Sequence, residues 1–103
     1  MGLDKNHQMT ERDIHASKLP GSVGVKWKDL ARALGFIEAT IEAIEKEKGA
    51  FTRECCIQLL VLWLRQKGKD ATAGKLADAL TRIELKNLAD KLIKDNTLSM
   101  VSL

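Results

Sequence analysis

The chain is poor in the side chains that carry most protein chemistry. Its only cysteines, Cys55 and Cys56, are neighbours, and adjacent positions in a helix cannot readily bridge each other, so no disulfide framework supports the fold. Buried and reduced, they act as small hydrophobes, which suits a reducing, cytoplasmic compartment. Histidine is as scarce. His7 falls in an irregular start and His15 on a lean helix, with no Ser, Cys or carboxylate spaced for a proton relay, and both read as solvated surface groups. No C-x-x-C or closely spaced histidine pair can grip a tetrahedral ion. Gly21, Gly24 and Gly35 follow no strand and precede no Lys-Ser/Thr, so phosphate has no cradle. These gaps exclude a recognisable enzyme, cofactor, metal or small-molecule substrate.

Other absences bear on architecture. β-branched residues outside the isoleucines are thinly scattered (Thr40, Thr52 and the valines of 23–25), too sparse for a sheet. Residues 1–13 are polar and mixed in charge, unlike a signal peptide. The longest apolar run is roughly half the length that a bilayer demands, so membrane insertion is not expected.

That run, CIQLLVLWL (56–64), organises the rest. Gln58 is its only polar residue, so a helix here is greasy around nearly its whole circumference and belongs in the middle of a bundle. Arg53, Glu54, Arg65, Gln66 and Lys67 extend it to helix length, which a buried strand does not need. At 103 residues the chain makes one domain, able to bury roughly 60–70% of its unfolded surface. The class is all-α.

Residues 1–9 show no period and read as a leader without fixed structure; 10–95 form the folded domain and 96–103 a tail. Thr10 and Asp13 form a capping box, with Met9 and Ile14 as a hydrophobic staple, for a short helix that ends at Pro20–Gly21. The segment 22–25 reads as a flexible connector. Trp27, Leu30, Ala31 and Leu34 recur at helical spacing, and Gly35 closes that helix in a left-handed conformation. Ile37, Ile41 and Ile44 set the next stripe after a tight corner, and Gly49 ends it. Leu59, Leu60 and Trp63 anchor the central helix. Thr72 caps a fifth helix carrying Leu76, Leu80 and Ile83, and Leu85, Leu88, Leu92 and Ile93 line a sixth, which frays by Asn96.

Net charge is modest, +3 from 17 basic and 14 acidic residues, but its distribution is uneven. Glu38, Glu42 and Glu45 make an acidic stripe beside the isoleucines, with Glu47 on the same helix. Lys26, Lys28 and Arg32 gather around a single Asp29. Arg53, Arg65, Lys67 and Lys69 flank the ends of the central helix. Opposite patches on different faces permit head-to-tail association between modules, which need not close into a dimer.

The corner at 30–46, LARALGFIEATIEAIEK, is also compatible with a DNA-binding helix-turn-helix, with 37–48 as recognition helix. Such a helix enters a groove carrying one negative charge per ~1.7 Å of duplex axis. Four glutamates there meet repulsion, and no Arg, Asn or Gln within 37–45 reads base edges. Nucleic acid is therefore not the expected partner.

WKDLARALG (27–35), IEATIEAIE (37–45), LLVLWL (59–64), RQKGKDATAGKLADAL (65–80) and LKNLADKL (85–92), in this order, resemble a death domain over about residues 10–95. The resemblance implies an antiparallel six-helix bundle of Greek-key type. It also implies a non-enzymatic signalling adaptor that binds other death-domain proteins, or itself, to assemble complexes in apoptotic, inflammatory or innate-immune signalling. Carried onto this chain, Lys28, Asp29, Arg32, Glu38, Glu42 and Glu45 form one contact surface, and Arg53, Arg65, Lys67 and Lys69 parts of others. Ile37 stands where the family often places a capping Ser, Thr or Asp, so the helix after it starts without a side-chain acceptor. A terminal Val101-Ser102-Leu103 fits an apolar-x-apolar strand-addition tail.

Overall fold

Thr10 begins the helical part of the chain. In the computed structural model, which describes residues 2–93, the Asp13 N–H donates to the Thr10 hydroxyl at 3.2 Å and the Thr10 N–H donates to the Asp13 carboxylate at 2.9 Å. This reciprocal box starts α1 (Glu11–Ala16). Met9 and Ile14 are both buried beside it, as a staple requires.

The chain does not go slack after α1. Ser17 is extended and accepts the Leu19 N–H at 2.9 Å, and a second short helix, α2 (Leu19–Val23), follows, continued by a 3-10 turn at Gly24–Lys26. Pro20 sits in the first turn of α2, where its missing N–H is no loss and its fixed φ is already helical. The flexible connector expected over 22–25 is therefore corrected: Leu19, Pro20 and Val23 are buried, and α2 packs along the central helix. Burial supplies what five residues of weak helix propensity cannot.

Trp27–Ala33 form α3 and Glu38–Lys48 form α4. Gly35 turns between them at φ 93, a left-handed value that an L side chain resists. The turn lets the Phe36 N–H reach the Ala31 carbonyl at 3.0 Å and buries the Phe36 ring. Ile37 precedes α4 with no side-chain cap, as expected.

The central helix is α5 (Thr52–Lys67), with Cys55, Cys56, Ile57, Leu59, Leu60, Val61 and Trp63 all buried. Buried positions on so many sides fit its neighbours, since α1, α2, α3 and α4 all pack on it. A 3-10 turn (Gly68–Asp70) leads to α6 (Ala73–Arg82), capped by the Thr72 hydroxyl, which accepts the Lys75 N–H. α7 (Lys86–Leu92) folds back on α6. The architecture is an antiparallel six-helix bundle of Greek-key type, its first helix broken into α1 and α2. Among the described residues no strand forms, only isolated bridges at Leu3–Ile93 and Gln8–Thr72.

Those bridges overturn the expectation of a leader without fixed structure. Residues 2–9 run as an arm across the start of α6 and the end of α7. The Leu3 N–H donates to the Leu92 carbonyl (2.7 Å), and the arm carbonyls of Lys5 and His7 accept the N–H groups of Gly74 (2.8 Å) and Ala73 (2.9 Å). A helix leaves its first N–H groups without internal partners, and the arm supplies acceptors for two of them. His7 is not the solvated side chain expected from the sequence, because its ring nitrogen lies 2.9 Å from Asp13 Oδ2. Burial pushes the Asp13 carboxyl upward, but the His7 ring and the Thr10 N–H and hydroxyl together outweigh it and hold the group below its ordinary value.

Trp27, Leu30, Ile41, Ile44, Leu59, Leu60, Trp63, Leu76 and Leu80 lie in the core as expected. Leu34, Leu88 and Leu92 are only partly buried and pack at its edge. Leu34 caps α3 at the corner, and α7 packs mainly on α6. α7 ends at Leu92; the fraying near Asn96 and the tail motif at 101–103 lie outside the described residues.

Candidate protein-interaction surfaces

The corner between α3 and α4 gathers half of the charges singled out from the sequence. Arg32, in the last turn of α3, extends its guanidinium to Glu38, the first residue of α4: Nε donates to Oε2 at 2.8 Å and Nη2 to Oε1 at 3.1 Å. A third donor, Nη1, reaches Asp29 Oδ1 at 3.1 Å. Planar guanidinium and carboxylate match as a fork, which adds direction to the charge attraction. The hydrogen bonds from Arg32 hold the Glu38 carboxyl below its ordinary range, and those to Glu38 raise the guanidinium in turn. Glu38 also stands where the positive end of the α4 dipole favours an anion, in place of the missing cap. Farther along, Lys28 Nζ lies 2.7 Å from Glu45 Oε2 and ties the start of α3 to the second half of α4.

Five candidate residues, Lys28, Asp29, Arg32, Glu38 and Glu45, are thus brought together, chiefly with one another. Glu42, between them on the same helix, is exposed and makes no ion pair among the described residues. It is the glutamate of this stripe that the corner's ion pairs leave out. The basic candidates do not form one patch. Arg53 stands at the start of α5, where its Nη1 donates to Glu54 at 3.2 Å and its Cδ lies against Gly21. Arg65 and Lys67 stand at the other end of this 16-residue helix, about 20 Å away, and Lys69 follows in the 3-10 turn. They are exposed and form no ion pair among the described residues.

Sequence reasoning named Lys26 and Ile37 without foreseeing their places, and it did not single out Arg82, or Val25 and Phe51 as exposed apolar groups. Lys26 Nζ donates to the Ile83 carbonyl and Arg82 Nη1 to the Ala33 carbonyl, each at 3.2 Å, lacing the α3 corner to the α6–α7 turn. With Asp29 and Arg32 they line a shallow depression beside the α3–α4 corner. Val25, Ile37 and Phe51 are 83%, 67% and 72% exposed. The sequence placed Ile37 on one stripe with Ile41 and Ile44, and this is corrected: Ile37 is the extended N-cap residue before α4, off the helical face that buries the other two, and Phe51 stands likewise at the N-cap of α5. The two thiols sit inside. Burial raises both, with the Glu45 charge adding at Cys55, and Cys56 is pushed up to about 12. Among the described residues no cluster of His, Cys, Asp and Glu is arranged to hold a metal, and no helix is long and apolar enough to cross a membrane.

The profile of the Death domain family matches residues 11–95, the same bundle just described. The chain belongs to the death domain family. Relatives of this death domain include human receptor-interacting serine/threonine-protein kinase 1, 35% identical over 79% of this chain and 12% of the kinase. Mouse tumor necrosis factor receptor superfamily member 10B is 33% identical over 64% of this chain and 17% of its own length. Bovine FAS-associated death domain protein is 32% identical over 82% of this chain and 42% of its own. The death domain thus spans less than half the length of each of these relatives. Its arm, residues 2–9, precedes the first matched residue.

Proposed function

We infer that this death domain is a non-enzymatic adaptor module that binds other death domains through its charged faces and so assembles signalling complexes. The observation that carries the reading is the separation of charge. Glu42 on the α4 face, and Arg65, Lys67 and Lys69 at the far end of α5, stand unpaired among the described residues. Surfaces of each sign on different elements of one module permit asymmetric, propagating contacts between copies or relatives. The cross-linked set Lys28, Asp29, Arg32, Glu38 and Glu45 holds the α3–α4 corner in one shape, so little backbone order is lost when Glu42 meets a partner, and the cost is confined to its own side chain. Exposed Ile37 and Phe51 give two apolar contacts at the ends of α4. Cys55 and Cys56, reduced and buried, fit a cytoplasmic setting.

The DNA-binding reading finds little support in the same geometry, since α4 would bring Glu38, Glu42, Glu45 and Glu47 towards phosphate. Direct binding tests the proposal. The chain is titrated against purified death domains of the three relatives and against itself, by polarisation at low and physiological salt. Saturable, salt-sensitive binding to at least one of them is expected; binding to duplex DNA and to none of the death domains would overturn the reading.

A further inference from the structure

The arm closes one side of a cleft between the helices. Half-enclosed between the arm, α1, α2 and α7, the cleft holds about 510 Å³, with Leu60 of the central helix buried beneath it. Its accessible apolar wall comes from Leu3 of the arm and Leu88 and Leu92 of α7, with Met9, Ile14 and Leu19 buried behind them. The volume falls within the range of small-molecule sites, and the wall has their character: mostly apolar, with a few polar groups at the opening. The partial exposure of Leu88 and Leu92 has its explanation here, because both face this cleft where a packed neighbour is lacking.

Three charged side chains line the opening: Asp13, Lys18 and Lys91. Asp13 is committed to the His7 ring and the Thr10 N–H. Lys18 and Lys91 are exposed and make no ion pair among the described residues. A lysine in such a place lays its methylene stem on the apolar wall and holds its ammonium in water. The opening is therefore cationic and the interior greasy.

We propose that this cleft binds a single-chain amphiphile with an anionic head, a medium-chain carboxylate, with the tail against the partly exposed Leu3, Leu88 and Leu92 and the head between Lys18 and Lys91. Burial of the tail drives binding in proportion to apolar area removed from water. The two ammonium groups choose the sign of the head. Because the arm provides one wall, the site is a property of this chain beyond the matched family region. Arm seating controls it through one position. A Cβ built on Gly74 would lie 2.8 Å from the Lys5 carbonyl oxygen, so Gly74→Ala lifts the arm while leaving the bundle's own contacts in place.

The probe is sodium decanoate below its micelle concentration, titrated into the full chain by calorimetry at constant ionic strength, with decyltrimethylammonium and acetate as controls. Saturable decanoate binding at one site is expected, with neither control binding. The double variant Lys18→Glu/Lys91→Glu alters exposed positions only and keeps the parent melting curve; its decanoate affinity falls on the order of tenfold or more. Gly74→Ala weakens decanoate binding too. The proposal is overturned if decyltrimethylammonium binds as well as decanoate, if neither variant changes affinity, or if decanoate does not bind the full chain. Binding that emerges only after deletion of 96–103 assigns the cleft to the chain's own tail and overturns it as well.

Discussion

Arg32 and Glu38 join two helices that a short corner would otherwise leave free to pivot: the guanidinium of one donates twice to the carboxylate of the other, at 2.8 and 3.1 Å. Both are exposed, so the pair acts more on shape than on total stability. A carboxyl held below its unfolded value contributes stability that is full above the unfolded value, near 4.5, and fades as pH falls through the folded one. Glu38→Gln is expected to flatten the dependence of urea-melt stability on pH below that value. Hydrogen exchange in the first turn of α4 should quicken in the same variant. An unchanged pH slope would mean that the pair does not persist in solution.

Trp63 is 2% exposed on the helix around which the others pack. Truncating a large aromatic in such a place removes its transfer energy and leaves a cavity that the neighbours fill only in part. Trp63→Ala should cost on the order of 3–5 kcal/mol and unfold most of the domain at physiological temperature. A thermal midpoint within a few degrees of the parent would contradict the central position of α5.

Gly74 permits the arm to seat, since the Lys5 carbonyl lies where a Cβ would reach. In Gly74→Ala the amides of Leu3, Met9 and Ala73, and the amide of the substituted position itself, should lose protection in hydrogen exchange, while those of α5 keep theirs. The melting midpoint should move little, because alanine is the better helix former at an α6 position. Protection retained at Leu3 and Met9 would show that the arm is held by other contacts.

Cys56 is fully buried and its thiol is pushed up to about 12. The thiolate is the reactive species, so native protein at neutral pH should react with a thiol reagent far more slowly at Cys56 than the denatured chain does. Mass spectrometry of the alkylated protein reads this directly. Rapid labelling of Cys56 in the native state would place it at the surface.

Much of this was legible in the sequence where a local rule decides the structure. The Thr10–Asp13 box, the Thr72 cap, the Gly35 turn and the stripe from Trp27 to Ala31 each involve residues within one or two turns of each other, and each formed as read. The acidic and basic groups were visible too, but their partners were not. Arg32 meets Glu38 only because the corner folds back, and Lys28 meets Glu45 only because α3 and α4 lie side by side. α2 was hidden because Pro20 and Gly21 announce a break, and only burial on α5 makes them helical. The arm was hidden for the same reason. A stretch without period has no local preference, and its partners, Leu92, Ala73 and Gly74, lie far along the chain.

Binding through the unpaired glutamate of α4 is the centre of this account, and Glu42→Lys tests it most directly. Glu42 touches no ion-pair partner among the described residues, so the variant should keep the parent melt. Affinity for a death domain that the parent chain binds, measured by polarisation at low and physiological salt, should fall on the order of tenfold or more, with a shallower salt dependence. Unchanged affinity and an unchanged salt dependence in a folded Glu42→Lys variant would contradict it.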